Sequence, residues 1–185
     1  MAILFVWYPK GQNVGHATLA LDGGAYVSWW PGGPVRGKVS TRGATAMGIS
    51  GDRKAEGSAP DYASPPLTAL DEGAMAAHWS KLSGRLPGRE PHAIAQKPRD
   101  IPNGNYDLFS KSCAGVVLDV LIAGGMFAKY PVTASMVARN PFITPLLLKD
   151  LAEAMAGETG NKIIAILLNS DARAATLRRL WQYAN

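Results

Sequence analysis

The chain has 185 residues, 47% hydrophobic and 18% charged, with 1 cysteine and a formal net charge of +5. Those values describe one globular domain with a sizeable core, and they exclude a disordered chain, an internal disulfide framework and a multi-cysteine zinc site. The positive balance biases the protein toward anionic partners, yet its basic residues are scattered and no nucleic-acid module accompanies them, so nucleic acid is not an expected partner.

The opening run Met1 to Tyr8 is apolar but has no basic leader, and no segment approaches the roughly 18 uninterrupted apolar residues of a spanning helix. The expectation is a soluble protein, made in the cytoplasm without a signal peptide and without membrane contact. Ile3 to Tyr8 read as a strand, closed by the turn-forming residues Pro9 to Asn13. Val14 to Leu21 form a second strand, Asp22-Gly23-Gly24 a tight connection, and Ala25 to Trp30 a third strand that Pro31-Gly32-Gly33-Pro34 ends. This is an antiparallel meander. Its alternation sets His16, Thr18 and Ala20 on one face and Ala17, Leu19 and Leu21 on the other. Trp29 and Trp30 either wall a groove or pack in the core and at its edge, and one of the two must point away from the core.

From Val35 to Pro66 the composition shifts to Gly, Ser, Arg, Lys and Asp, which reads as a long loop with one weak strand around Thr45 to Ile49. A connection of that length is either a flap over a site or a disordered segment. Thr68-Ala69-Leu70-Asp71-Glu72 has the pattern of a capping box and opens a helix to Leu82, with Leu70, Ala74, Met75, Ala77 and Leu82 as its buried stripe. His78 on that helix and His92 in the Pro- and Arg-rich connection beyond it carry no motif and read as surface or packing residues.

Asn105 to Gly125 places Cys113 where a polar turn becomes an apolar helix. Tyr106, Leu108 and Phe109 form a short extended lead-in, and Val116, Val117, Val120 and Leu121 recur at helical spacing. Unpaired amides and the positive dipole end at such a helix start favour a thiolate. Gly124-Gly125 ends the helix and Met126 to Val132 crosses to a new segment. Thr144 and Pro145 then cap and open a helix over Leu146 to Ala156. Ile163 to Leu168 is a helix turn or a strand, and Ser170-Asp171 caps a final helix, Ala172 to Tyr183, within residues 170–185.

Two segments carry a family likeness. Ser112-Cys113-Ala114-Gly115-Val116-Val117 resembles the D-C-S-G-[LF]-V nucleophile motif of NlpC-type cell-wall cysteine peptidases, and Tyr106 to Cys113 resembles the Y-x-L-x-x-N-C approach of the lecithin:retinol acyltransferase-like (LRAT-like) branch. Gly15-His16-Ala17-Thr18-Leu19 is similar to the G-H-x-[SA]-[LI] strand on which permuted papain-like enzymes hold their base, and the Thr144-Pro145 helix start also resembles one in such relatives. The resemblance implies an α+β, circularly permuted papain-like (NlpC/LRAT-like) fold over residues 1–185, a single catalytic domain with an antiparallel β-meander packed on a helix that bears the cysteine at its N-terminus.

It further implies Cys113 as nucleophile and His16 as base. The third member in the LRAT-like branch is usually a second histidine about twelve positions after the first, and here that position is Ser28. This is a departure, because a hydroxyl can orient an imidazole but cannot stabilise an imidazolium as a carboxylate would. Asp22 reads as a turn former instead. The Cys113 amide, with Tyr106 or Ser112, would stabilise an oxyanion, and Trp29 and Trp30 would contact substrate.

The activity implied is that of a cysteine-dependent amide hydrolase (a thiol protease or amidase) with no cofactor and no metal, acting on peptide or peptidoglycan. Likeness to antibacterial toxins delivered by type VI secretion adds release into a target cell or its periplasm, an immunity protein, a secretion-machinery partner and a monomeric state. The alternatives are an LRAT-like acyltransferase, thioesterase or deamidase acting on lipid or host protein, and a catalytically inactive papain-like binding domain.

Overall fold

The computed structural model describes residues 1–11, 13–31, 39–40, 43–45, 48–83, 99–101, 106–108 and 111–157. The helix expected over Ala172 to Tyr183, the run Ile163 to Leu168, and His92 lie outside the described residues.

The expected meander is present. Strand β1 (Ala2–Trp7) pairs antiparallel with β2 (His16–Leu21) in a register running from Ala2 opposite Leu21 to Trp7 opposite His16, and β2 pairs antiparallel with β3 (Tyr26–Val27). The turn between β2 and β3 closes through Gly24 N–H to Leu21 O at 3.0 Å and Leu21 N–H to Ala25 O at 2.9 Å. Asp22 on that turn is exposed and accepts from the Met1 amino group at 2.8 Å, in keeping with a turn role.

The third strand is shorter than expected. Pairing with β2 stops at Val27, and the chain re-enters a ladder as β4 (Trp30–Pro31), alongside β6 (Gly43–Thr45) and β8 (Arg99–Ile101), while β5 (Val39–Ser40) pairs with β9 (Tyr106–Asp107). Side-chain demand explains the break. Trp29 goes into the core, donating its indole N–H to Lys111 O at 3.1 Å, whereas Trp30 turns to a buried carboxylate and stays only partly covered.

The largest correction falls in the expected loop. Helix α1 (Ile49–Glu56) stands between β6 and strand β7 (Tyr62–Ala63), which adds to the free edge of β1 to give the sheet order β3-β2-β1-β7. The expected weak strand ends at Thr45, before the helix begins. The residues α1 buries are Gly51 and Asp52, so no apolar stripe betrays it, and Gly57 at φ 71° stops it in the left-handed conformation that glycine adopts without steric cost.

Helix α2 (Glu72–Ser83) starts later than Thr68: Asp71, not Thr68, caps it, accepting the Ala74 amide at 2.9 Å. Its buried face is Met75, Trp79 and Ser83, while Ala77 is exposed and Leu70 packs in the core from ahead of the helix. Helix α3 (Cys113–Ala123) is buried along most of its length and packs on β2 and α2. The expected crossing after it is itself helical, as α4 (Met126–Lys129) and α5 (Pro131–Ala138). Helix α6 (Pro145–Met155) begins as its sequence implies, with Thr144 Oγ1 accepting the Leu147 amide at 3.1 Å, and packs on β1. The chain is thus a mixed α+β protein whose core lies between an antiparallel sheet and α3, α2 and α6. No helix among the described residues is long and apolar enough to cross a membrane.

Candidate functional site

Strand β2 begins at the site. Gly15, at φ +84°, bends the chain into the strand, and a Cβ there would stand 2.6 Å from the Trp7 carbonyl oxygen, so only glycine fits. His16 follows and is 2% exposed. Its ring is layered against Trp30, with centroids 4.0 Å apart and planes at 30°, and Trp7 lies on it at 5.7 Å.

His16 Nε2 lies 3.5 Å from both Asp52 Oδ1 and Ser28 Oγ, which leaves Nδ1 as the nitrogen for a partner on the other side. Asp52, in the first turn of α1, is 0% exposed yet fully engaged. Its Oδ1 accepts from Ser28 Oγ–H at 2.8 Å and Trp30 Nε1–H at 2.7 Å, and its Oδ2 accepts from Tyr26 Oη–H at 2.5 Å. Thr18 Oγ1 lies 2.9 Å from the Tyr26 hydroxyl. A buried carboxylate is tolerable only with such donors around it.

Cys113 is the first residue of α3, and Ser112 caps the helix by accepting the Gly115 amide at 3.2 Å. The cysteine is 4% exposed, but it is not walled off: it lines a cleft of about 360 Å³ together with His16, Trp29, Trp30, Tyr106 and Glu56. A small recess beside it is bounded by Ser112, Tyr106, Ile143 and Thr144.

The charges follow from this packing. Burial alone would lower the His16 pKa, but the charge at Cys113, the hydrogen bond to Asp52 and a hydrogen bond to Cys113 together push it up to about 10. Burial alone would raise Asp52. The hydrogen bond and charge of His16, with the Tyr26 and Trp30 donors, instead hold it below the usual carboxylate range. Burial pushes the Tyr106 phenol well up, the charge at Cys113 adds to this, and a backbone hydrogen bond at Cys113 opposes it.

The structure therefore brings His16, Cys113, Trp29, Trp30 and Tyr106 to one cleft. Ser28 lies beneath the imidazole, but its hydroxyl donates to Asp52 and its oxygen also receives Trp30 Nε1–H at 3.0 Å. It couples the ring to the carboxylate instead of standing in for it. Ser112 is a helix cap. Asp52 is the residue that sequence reasoning missed; the one signal available was the pair Asp52 and Glu56, spaced to share a helix face within a segment otherwise read as a loop. Among the described residues no group of three or more His, Cys, Asp and Glu side chains is placed to hold a metal ion.

A cysteine sulfur beside an imidazole that is backed by a buried carboxylate can attack a carbonyl as the thiolate while the ring, protonated, gives its proton to the leaving group. Comparison with family models, curated proteins and solved structures finds no match to this chain.

Proposed function

We propose that this protein is a cysteine-dependent amide hydrolase built on a permuted papain-like plan, with Cys113 as nucleophile, His16 as acid and base, and Asp52 as the carboxylate that anchors His16. One observation carries the reading: side chains from β2, α1 and α3, distant in sequence, converge so that a buried carboxylate backs an imidazole that shares a cleft with the only cysteine.

In the first half of the reaction the Cys113 thiolate attacks the amide carbonyl carbon while His16 is imidazolium. The C–N bond breaks as His16 gives its proton to the departing amine, leaving an acyl thioester and a neutral ring. Water then attacks the thioester as His16 takes its proton, and the returning thiolate restores the ion pair. The Cys113 amide at the start of α3, with Tyr106 beside it, supports the oxyanion. Asp52 keeps the ring in one tautomer and offsets the charge it carries.

The substrate class is peptide, with the stem peptides of peptidoglycan as the first candidate and a role as a secreted antibacterial toxin with an immunity partner. Incubating the reduced protein with muropeptides should give new fragments, and a Cys113→Ala protein should give none. Absence of fragments with the wild type removes the cell-wall version. The apolar walls of Val14, Trp29, Trp30 and Leu108 favour acyl transfer or thioester cleavage as the second reading; a lipid-derived acyl group recovered on Cys113 by mass spectrometry would select it. If Cys113 alkylates with iodoacetamide at pH 6 no faster than a small free thiol does, the domain binds without catalysing.

A further inference from the structure

Helix α1 supplies the cleft twice. Asp52 and Glu56 lie one turn apart on the same face, so the face that buries Asp52 behind His16 also sets Glu56 on the cleft wall. Glu56 is held there by Asn13, whose side-chain amide donates to Oε2 at 2.6 Å. A carboxylate has acceptor capacity beyond one such bond, and Oε1 takes no part in that contact. Partial burial pushes its carboxyl upward, and outweighs the opposing pull of the His16 charge, the Asn13 hydrogen bond and the Lys10 charge.

The rest of the lining sharpens the contrast. Among the described residues around the cleft Glu56 is the one carboxylate, there is no lysine or arginine, and the remaining surface is largely aromatic or aliphatic, with Trp30 and Tyr106 on it. Lys10, the base that follows β1 toward Asn13, is engaged elsewhere, at 2.8 Å from Asp61. On the thiol reading His16 and Cys113 carry offsetting charges, so in a chain of net charge +5 Glu56 leaves the cleft negative above an aromatic floor. An anionic group would be repelled by this carboxylate, whereas an ammonium would gain an ion pair and a ring face.

Resting on the thiol reading above, we infer that Glu56 forms an ammonium-binding subsite beside Cys113, so that the preferred substrate is an amide with a primary ammonium group on the segment lying toward α1. Asn13 orients that carboxylate. Glu56 acts on binding and takes no part in proton transfer.

Three methanethiosulfonates that modify Cys113 test this without a known substrate: the 2-(trimethylammonio)ethyl, 2-sulfonatoethyl and methyl reagents. In each, the thiolate attacks the sulfenyl sulfur, forms a mixed disulfide and releases methanesulfinate. Rates at pH 6 and low salt are normalised to N-acetylcysteinamide. The wild type should favour the cationic over the anionic reagent about fivefold more than the small thiol does, and Glu56→Gln should lower that ratio about tenfold while changing the methyl reagent less than about twofold. An unchanged ratio with a fast methyl reaction overturns the subsite alone. A methyl reaction no faster than the small thiol overturns the thiol reading itself. Should Glu56→Gln fail to fold, the normalised wild-type ratio decides, and a value at or below one overturns the subsite.

Discussion

The two faces of β2 are buried to nearly the same extent and do opposite work. On one, Ala17, Leu19 and Leu21 pack into the core with α3. On the other, His16 and Thr18 are as well covered, and Asp52, Tyr26, Ser28 and Trp30 meet them in a network of hydrogen bonds and ring contacts. The first face holds the fold by removing apolar surface from water, at roughly 1.5–3 kcal/mol for each large side chain. The second contributes little net stability for its burial, because desolvating charge offsets most of what pairing returns. It fixes the protonation and direction of one ring. Burial by itself therefore does not separate scaffold from site; the chemistry of what does the burying does.

That contrast can be broken experimentally, and the sharpest attempt is Asp52→Asn. It keeps shape and most hydrogen bonds but removes the charge behind His16, so amide turnover should fall about 10³-fold, about 4 kcal/mol at the barrier, with the folded state retained by circular dichroism. Turnover within tenfold of wild type would mean the carboxylate is structural. Leu19→Ala, on the opposite face and 0% exposed, should do the reverse: a loss of about 2–5 kcal/mol in urea unfolding, with the Cys113 alkylation rate of the folded fraction unchanged within about twofold.

The faces should also differ in pH response. Because the His16 pKa is raised from 6.5 to about 10 on folding, its contribution to stability is fully present below pH 6.5 and is lost as pH rises through 10. Asp52 is shifted down, so its contribution is present above its unfolded value near 3.8 and is lost as pH falls through the folded one. Urea midpoints should decline at both ends of that range, and Asp52→Asn should flatten both limbs where Leu19→Ala only lowers the whole curve.

Smaller effects test the outer part of the network. Tyr26→Phe leaves Asp52 Oδ2 without its donor and should cost about 1–3 kcal/mol in stability. It should also shift the acid limb of thiol alkylation, which a purely packing role would leave in place. Ser28→Ala should have the least consequence, a few-fold loss of turnover, since Trp30 and His16 still reach Asp52 directly.

The same contrast explains what could be read from the sequence. The apolar face of β2 and the helix start at Cys113 follow from local periodicity, and His16 stood out because a Gly-His step in an apolar run carries a pattern of its own. Asp52 did not, because α1 buries a carboxylate and a glycine where most helices bury leucines, and a helix held by polar contacts has no apolar period to detect. Ser28 stands 3.5 Å from the imidazole, but its hydroxyl's preference for a carboxylate 24 residues further on is a tertiary fact. The third strand was overextended for a related reason: two adjacent tryptophans with different partners force the backbone off the sheet edge.

Gly15 leaves one lesson about likeness between proteins. Its side-chain-free position is demanded by the Trp7 carbonyl and by backbone handedness, neither of which concerns protons or sulfur. A Gly-His signature of this kind records a bend that any chain entering a strand in this manner must make, armed or not. The glycine therefore reports how this strand is entered, and Asp52, far along the chain in α1, is what sets the surroundings of the ring that follows it.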